Sequence, residues 1–123
     1  MHVTIQEAAT RVGLTAHTLR YYEREGLMPS LKRGQHGIRV FEEGDIEWLQ
    51  MIRCLRDTGM PISAVRRYVE LCAEGDHTLP DRIEMLRSQK HSVEQQMAEM
   101  QGYLKRIDDK LAYYCCVLDR TSA

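Results

Sequence analysis

Four residues near the start of the chain could contact nucleic acid if they lie on a helix. His17, Arg20, Tyr21 and Arg24 are spaced at i, i+3, i+4 and i+7, which places side chains on one face of an α-helix. Arginine makes paired hydrogen bonds to guanine or phosphate, and the tyrosine hydroxyl donates to phosphate oxygens. An ordinary solvated helix face would have the same spacing, so the pattern alone leaves both interpretations open.

The four cysteines are a second set of residues that could react or bind a metal. Cys54, Cys72, Cys115 and Cys116 form no CxxC pair and no zinc-finger spacing, and a disulfide framework is not expected in a cytosolic chain. On a helix the side chains of Cys115 and Cys116 diverge by about 100°, so the two cannot easily hold one ion as a pair. Metal binding through ligands from two subunits remains an alternative.

Two short helices are expected at the start of the chain, and the second of them carries the four residues from His17 to Arg24 described above. Thr4 and Glu7 form a capping-box pattern for a helix that ends at Gly13. Thr15 then caps a second helix that runs to about Glu25, and both Thr15 and Thr18 lie where they could contact the DNA backbone or base edges. Two short helices joined by a glycine turn predict a helix-turn-helix.

The following segment predicts a hairpin and two further helices. The extended stretches 31–33 and 38–41 flank a glycine-containing turn, which is typical of a wing. A third helix is expected over about Gly44 to Thr58, and a fourth from Pro61 to near Gly75.

A long amphipathic helix is predicted for the remainder of the chain. After a second capping-box pattern, Thr78 to Asp81, apolar residues recur at alternating spacings of four and three, with Lys90 as the one polar position. A helix of roughly 35 residues would be about 50 Å long. It could not bury this row of apolar residues, the seam, against the small amino-terminal domain, the head. We therefore expect a coiled-coil dimer, in which Gly102 is a weak point. The alternative is a core helix that folds back on the head. The seam consists of Leu79, Ile83, Leu86, Val93, Met97, Met100, Leu104, Ile107, Leu111, Tyr114 and Leu118.

Composition narrows the class of protein. The 123 residues are 43% hydrophobic and 28% charged, which fits a folded soluble protein of one ordinary domain or a small domain with an appended helix. No membrane span and no signal peptide are evident, so a cytoplasmic protein is expected. Residues 1–41 carry six Lys or Arg against three acids, or +3, and the rest carries −4 of the net charge of −1. A basic head on an acidic body is expected if only the head meets phosphate.

Four motifs, in order and with matching gaps, resemble the amino-terminal domain of MerR-family transcription regulators. With the long terminal helix, the resemblance covers essentially the whole chain. The motifs are Thr4-Ile5-Gln6-Glu7-Ala8-Ala9, Gly13-Leu14-Thr15, Thr18-Leu19-Arg20-Tyr21-Tyr22-Glu23 with Gly26-Leu27, and Gly37-Ile38-Arg39-Val40-Phe41.

The resemblance implies a mostly α fold with a winged helix-turn-helix head at 1–75, a coiled-coil dimerisation helix at 76–118 and a tail at 119–123. It implies antiparallel pairing of the terminal helices in a homodimer. It also implies that the second helix enters the major groove while the wing and the Arg-Tyr-Tyr segment contact the DNA backbone. The residues nominated in this way are Arg20, Tyr21, Tyr22, Arg33 and Arg39; Lys32 is added on charge grounds alone.

The resemblance also implies a mechanism. Family members bind a pseudo-palindromic promoter with an over-long spacer, and the activated form untwists and bends this double-stranded DNA so that RNA polymerase engages both promoter elements. No catalytic motif, cofactor site or resident metal is expected, so the chain is not expected to be an enzyme. A coiled-coil adaptor that does not bind DNA is an alternative from another class.

The nature of the signal is the most open question. The chain is similar to the aldehyde- and thiol-stress-responsive branch of the family, in which a lone cysteine in the third helix is the proposed sensor, here Cys54. Arg53 and Arg56 could favour its thiolate, which an electrophile could alkylate or an oxidant oxidise. The alternatives are a buried packing role for Cys54, or a metal-responsive regulator that uses Cys115 and Cys116. Cys72 is expected to serve packing.

Overall fold

A computed structural model describes residues 3–28, 32–33 and 39–122, with the backbone alone described at 32, 33 and 39. Two compact units divide the chain, Met1–Gln89 and Lys90–Ala123. The elements in order are α1 (Ile5–Val12), α2 (Ala16–Arg24), β1 (Lys32–Arg33), β2 (Arg39–Val40), α3 (Glu43–Asp57), α4 (Ile62–Glu74), a single 3-10 turn (Asp76–Thr78) and α5 (Leu79–Ser122).

The helix-turn-helix is confirmed at α1 and α2. The Thr4 hydroxyl accepts from the Glu7 amide at 3.2 Å, and Thr15 caps α2 in the same way by accepting from Thr18 at 3.1 Å. Gly13 ends α1 with φ of 72°, a left-handed conformation that costs a residue with a Cβ and suits glycine. The chain turns sharply there, so α2 can pack across α1.

A pair of two-residue strands follows α2. β1 and β2 are antiparallel, with Lys32 opposite Val40 and Arg33 opposite Arg39. Val3 and Phe41 then exchange backbone hydrogen bonds of 2.9 and 3.0 Å, which ties the end of this segment to the start of the chain. The predicted turn at 34–37 lies outside the described residues, so the complete wing remains a prediction.

The next two helices match the sequence prediction to within about one residue at each end. Asp45 accepts from the Glu42 amide at 3.0 Å and so satisfies a backbone donor where α3 begins. Pro61 immediately precedes α4, where its missing N–H costs no hydrogen bond.

One hydrophobic core joins the first four helices. Burial of these apolar side chains is the main stabilising contribution to the head and fixes how α2 sits on it. The buried residues are Ala8, Ala9 and Val12 of α1, Leu19 and Tyr22 of α2, Ile46, Leu49, Ile52 and Leu55 of α3, and Val65 and Val69 of α4, with Leu27, Met28, Phe41 and Met60 between the helices.

The long helix exceeds its predicted length. α5 has 44 residues and continues through Gly102 and through the segment 119–122 that was expected to be a tail. No proline interrupts it, and the hydroxyls of Thr121 and Ser122 bond back to the Leu118 carbonyl at 2.9 and 2.6 Å, within the last turn. The predicted capping box at Thr78 takes a different form. The Thr78 amide donates to the Gly75 carbonyl at 3.1 Å, and its hydroxyl accepts from Arg82 at 3.0 Å.

None of the helices in the described ranges combines the length and the apolar composition that crossing a bilayer requires.

Candidate nucleic-acid interface

The cationic face predicted on α2 is present. The side chains of His17, Arg20 and Arg24 are exposed, Tyr21 is half-buried beside them, and Leu19 on the opposite side is buried in the core. Arg24 lies in the last turn of α2, where its positive charge also complements the helix dipole. One side of this short helix therefore holds it to the head, while the other presents two guanidinium groups and an imidazole to solvent.

The two threonines at the start of α2 are engaged with each other. The Thr15 and Thr18 hydroxyls lie 3.0 Å apart, and Thr15 also accepts from the Thr18 amide. Thr15 is exposed and Thr18 is half-buried, so both remain at the surface at the amino-terminal end of α2. Their primary structural role is to cap the helix.

Tyr22 lies apart from the other nominated residues. Only 5% of its surface is exposed, and burial raises the pKa of its phenol, with the charge of Arg56 acting in the opposite direction. Its ring lies 6.2 Å from that of Tyr21. At i+3 from Leu19 it shares the core side of α2, so the structure groups Tyr22 with the core and not with the exposed cationic face.

Three contacts that the sequence did not reveal fix the carboxyl end of α2. Arg66 of α4 donates to the Glu25 carbonyl at 3.2 Å and forms an ion pair with the Glu25 carboxylate. The Trp48 indole donates to the Leu27 carbonyl at 2.6 Å and stacks on Tyr68 with ring centres 6.4 Å apart. The chain leaving α2 is thus bonded to both α3 and α4, which holds the exposed face in a defined orientation.

Two arginines connect α1 to α3. Arg11 forms a bidentate pair with Glu43 at 2.6 and 2.8 Å; its hydrogen bond is the main cause that lowers the pKa of the Glu43 carboxyl. Arg53 donates to the Val12 carbonyl at the end of α1 and to Asp57 at 3.1 Å. α1, which supports α2, is held at both its exposed face and its carboxyl end.

Three basic residues of the predicted wing are described only by their backbone. Lys32 and Arg33 form β1, and Arg39 begins β2 directly opposite Arg33. Their side chains lie outside the description, so their DNA contacts stay predictions.

Cys54 is exposed on α3 of the single chain, so it does not belong to the hydrophobic core of its own head. The arginines expected to favour its thiolate are directed elsewhere. Arg53 bonds to Val12 and Asp57 as above, and Arg56 donates to the Met60 carbonyl at 3.1 Å. The thiol is accessible to a small reagent.

The remaining cysteines differ in exposure. Cys72 is half-buried beside Tyr68, whose pKa is raised chiefly by burial and then by Cys72. Cys115 and Cys116 are exposed, and Arg120 donates to the Cys116 sulfur at 3.3 Å. Within the described residues, no three His, Cys, Asp or Glu side chains are grouped so that they could hold a metal ion.

The second compact unit carries an exposed apolar stripe on α5. More than half of the surface of Met97, Met100, Leu104, Ile107 and Leu111 is accessible in the single chain. A continuous apolar face of this kind is rare on monomeric proteins and marks an interaction surface.

Comparison with known proteins gives consistent matches. The model described as "MerR HTH family regulatory protein" matches residues 3–72, and that described as "MerR, DNA binding" matches residues 46–110. An uncharacterized HTH-type transcriptional regulator of Haemophilus influenzae is 38% identical, over 93% of this chain and 84% of its own length. The HTH-type transcriptional regulator AdhR of Bacillus subtilis is 44% identical, over 72% of this chain and 63% of its own length.

A solved structure is similar over almost the whole chain. The crystal structure of HiNmlR, a MerR family regulator lacking the sensor domain, bound to promoter DNA, superposes with a TM-score of 0.87 at 38% identity. The alignment covers 93% of this chain and 90% of that one.

Proposed function

This chain belongs to the MerR family of helix-turn-helix transcription regulators, and from that premise we propose that it acts as a homodimer on a pseudo-palindromic promoter and is switched by modification of Cys54. The family is one of DNA-binding regulators and not of enzymes, which also rules out the adaptor alternative. The similarity to AdhR and HiNmlR supports a place in the branch of the family that contains these two proteins.

The exposed cationic face of α2 is the observation that carries the DNA-binding role. His17, Arg20 and Arg24 point to solvent from a helix whose other side is anchored in the core. HiNmlR, which shares this fold, is bound to promoter DNA in its crystal structure. In this proposal α2 enters the major groove, where Arg20 reads a base edge or clamps a phosphate and Tyr21 contacts the backbone. Lys32, Arg33 and Arg39 then neutralise flanking phosphates from the wing.

The stripe on α5 supports a homodimer. Its apolar residues keep the alternating four-three spacing of a coiled coil, and most are more than half exposed in one chain. Antiparallel pairing with a second copy would bury the stripe and place two α2 helices at the two half-sites of a palindrome.

Regulation then requires two states of the dimer that bind DNA differently. Untwisting and bending a promoter costs a few kcal/mol, and this work must come from the difference in affinity of the two protein states for straight and distorted DNA. We infer that the distorted form brings both promoter elements into register for RNA polymerase. The same site would serve repression in one state and activation in the other.

The proposed signal is a reactive aldehyde or a related electrophile. Cys54 is exposed, so a small carbonyl compound can reach its sulfur. Attack of the thiolate on the carbonyl carbon forms one S–C bond and breaks the π bond of the carbonyl, whose electron pair moves to the oxygen. The oxygen then takes up a proton from solvent to give a hemithioacetal, so the step needs no oxidant. Its position on α3, the helix that supports both α1 and α4, would let an adduct alter the packing of the head.

The DNA-binding part is tested by competition on the chain's own promoter. We expect protein bound to the native inverted repeat to resist an excess of scrambled duplex, with an affinity that falls steeply as salt is raised. Equal displacement by native and scrambled duplexes would contradict it.

A further inference from the structure

The last turn of α3 is hydrogen-bonded to α5. The Gln89 side-chain amide of α5 donates to the Thr58 hydroxyl at 2.7 Å and to the Thr58 carbonyl at 3.2 Å. Both residues are half-buried. These bonds join residues 31 positions apart in sequence, at the carboxyl end of the helix that carries Cys54.

Thr58 is bonded in turn to Cys54. Its amide donates to the Cys54 carbonyl at 3.0 Å and its hydroxyl reaches the same carbonyl at 2.9 Å, while the hydroxyl oxygen accepts from Gln89. Thr58 is the residue that follows α3, four positions after Cys54, so its side chain lies on the same side of the helix end as that of Cys54. Helical side chains point back towards the amino end, so Thr58 leans over the turn from which the Cys54 side chain projects.

We propose that Gln89 is the positioning residue that couples the chemical state of Cys54 to the packing of α5 on α3. This inference rests on the thiol-responsive function proposed above. An adduct on the Cys54 sulfur needs room on the face where Thr58 lies, and moving the Thr58 hydroxyl removes an acceptor from the Gln89 amide. The Gln89 amide then keeps only the Thr58 carbonyl as an acceptor. A half-buried N–H that has lost its acceptor favours a different packing of the first turns of α5, because an unsatisfied donor is costly.

A second contact of α5 provides a matched comparison. Arg82 donates to the Thr78 hydroxyl and the Gly75 carbonyl, each at 3.0 Å, which ties α5 to the chain just after α4 and not to α3. A variant at Arg82 therefore loosens the start of α5 without touching the bonds that lead to Cys54.

The test compares transcription from the promoter with and without formaldehyde. Gln89→Met keeps the side-chain length but cannot donate a hydrogen bond. Thr58→Val removes the hydroxyl, and Thr58→Ser retains it. Arg82→Met is the matched control. In each, mass spectrometry measures the rate of Cys54 modification, and titration measures the promoter affinity of the unmodified protein.

We expect Gln89→Met and Thr58→Val to be modified at Cys54 as fast as wild type. Their ratio of induced to uninduced transcription should fall by roughly five-fold, the factor that corresponds to one lost hydrogen bond in the coupling. Thr58→Ser and Arg82→Met should retain the wild-type ratio.

Three outcomes would overturn the proposal, in distinguishable ways. If Gln89→Met responds as fully as wild type, the coupling role is wrong while the thiol-responsive function stands. If wild type is modified at Cys54 without any change in transcription, the proposed function itself is wrong, and the role of Gln89 with it. A ratio lowered equally by Arg82→Met and Gln89→Met would show a general loosening of α5 and would also contradict the specific role.

Discussion

The Arg53 guanidinium covers the glycine that ends α1. It donates to the carbonyl of Val12, and a Cβ built on Gly13 would collide with its terminal nitrogen. The turn of the helix-turn-helix is thus fixed by a left-handed glycine and by a side chain from α3, 41 residues from Val12 in sequence.

Replacing this glycine should destabilise the head more than replacing a comparable one. Gly13→Ala must hold a φ of 72° and displace Arg53, whereas Gly26→Ala meets only the cost of a φ of 77° because nothing lies within 4 Å of its Cβ. We expect Gly26→Ala to lower the free energy of unfolding by about 1 kcal/mol and Gly13→Ala by roughly 2 kcal/mol or more, measured by urea denaturation. Equal losses would show that the Arg53 contact contributes nothing.

Arg20 should contribute directly to promoter affinity. If it reads a base or a desolvated phosphate, Arg20→Ala weakens binding by about 1 to 3 kcal/mol at fixed salt. Arg67→Ala removes the same charge from an exposed site on α4, where Arg67 pairs with Glu70 at 3.4 Å, and serves as the control. A titration in which the two variants bind equally well would refute the assignment of α2 to the groove.

The dimer should depend on the apolar stripe of α5. Leu104→Glu places a charge in the stripe, while Ala98→Glu places it at an exposed position outside it. At micromolar concentration, sedimentation should give twice the 14.3 kDa chain mass for wild type and Ala98→Glu, and the single-chain mass for Leu104→Glu. A single-chain mass for wild type would mean that the stripe is covered in another way.

The pairing of Arg11 with Glu43 should give a pH-dependent stability. The pKa of Glu43 is lowered from 4.5 by the hydrogen bond from Arg11, so the folded state binds a proton less readily than the unfolded state. The stabilisation is therefore present above pH 4.5 and is lost as the pH falls through the lower, folded-state pKa. Thermal unfolding should show Glu43→Gln to be less stable than wild type at neutral pH, with the difference disappearing in acid.

The same difference should vanish in a chain that already carries Arg11→Met. If Glu43→Gln is equally costly in that background, the pairing with Arg11 is not its cause.

Local signals account for most of what the sequence predicted. Thr4, Thr15 and Gly13 act within a few residues of themselves, so the ends of α1 and α2 could be read from their types and spacing. The exposed cationic face of α2 follows from helical periodicity in the same way, and the family resemblance is what favours a DNA-contacting role for it.

The bonds that orient these elements could not be predicted in this way. Arg66 with Glu25, Trp48 with Leu27 and Gln89 with Thr58 join residues 41, 21 and 31 positions apart, and no local pattern selects the partner. Arg53 shows the same limit. Because it is next to Cys54 in sequence, it was expected to favour the Cys54 thiolate, whereas in the structure its guanidinium donates to the distant Val12 carbonyl. Gly102, predicted to be a weak point of the coiled coil, lies inside the 44 residues of α5, because a cost of about 1 kcal/mol at one position does not end so long a helix.

The central claim is that a modified Cys54 changes the shape of bound promoter DNA. Energy transfer between dyes at the two ends of a promoter duplex, recorded with and without formaldehyde, tests it directly. We expect formaldehyde to change the transfer efficiency when wild-type protein is bound and to leave it unchanged with Cys54→Ser. An identical change with both proteins, or no change with wild-type protein whose Cys54 is fully modified, would contradict it.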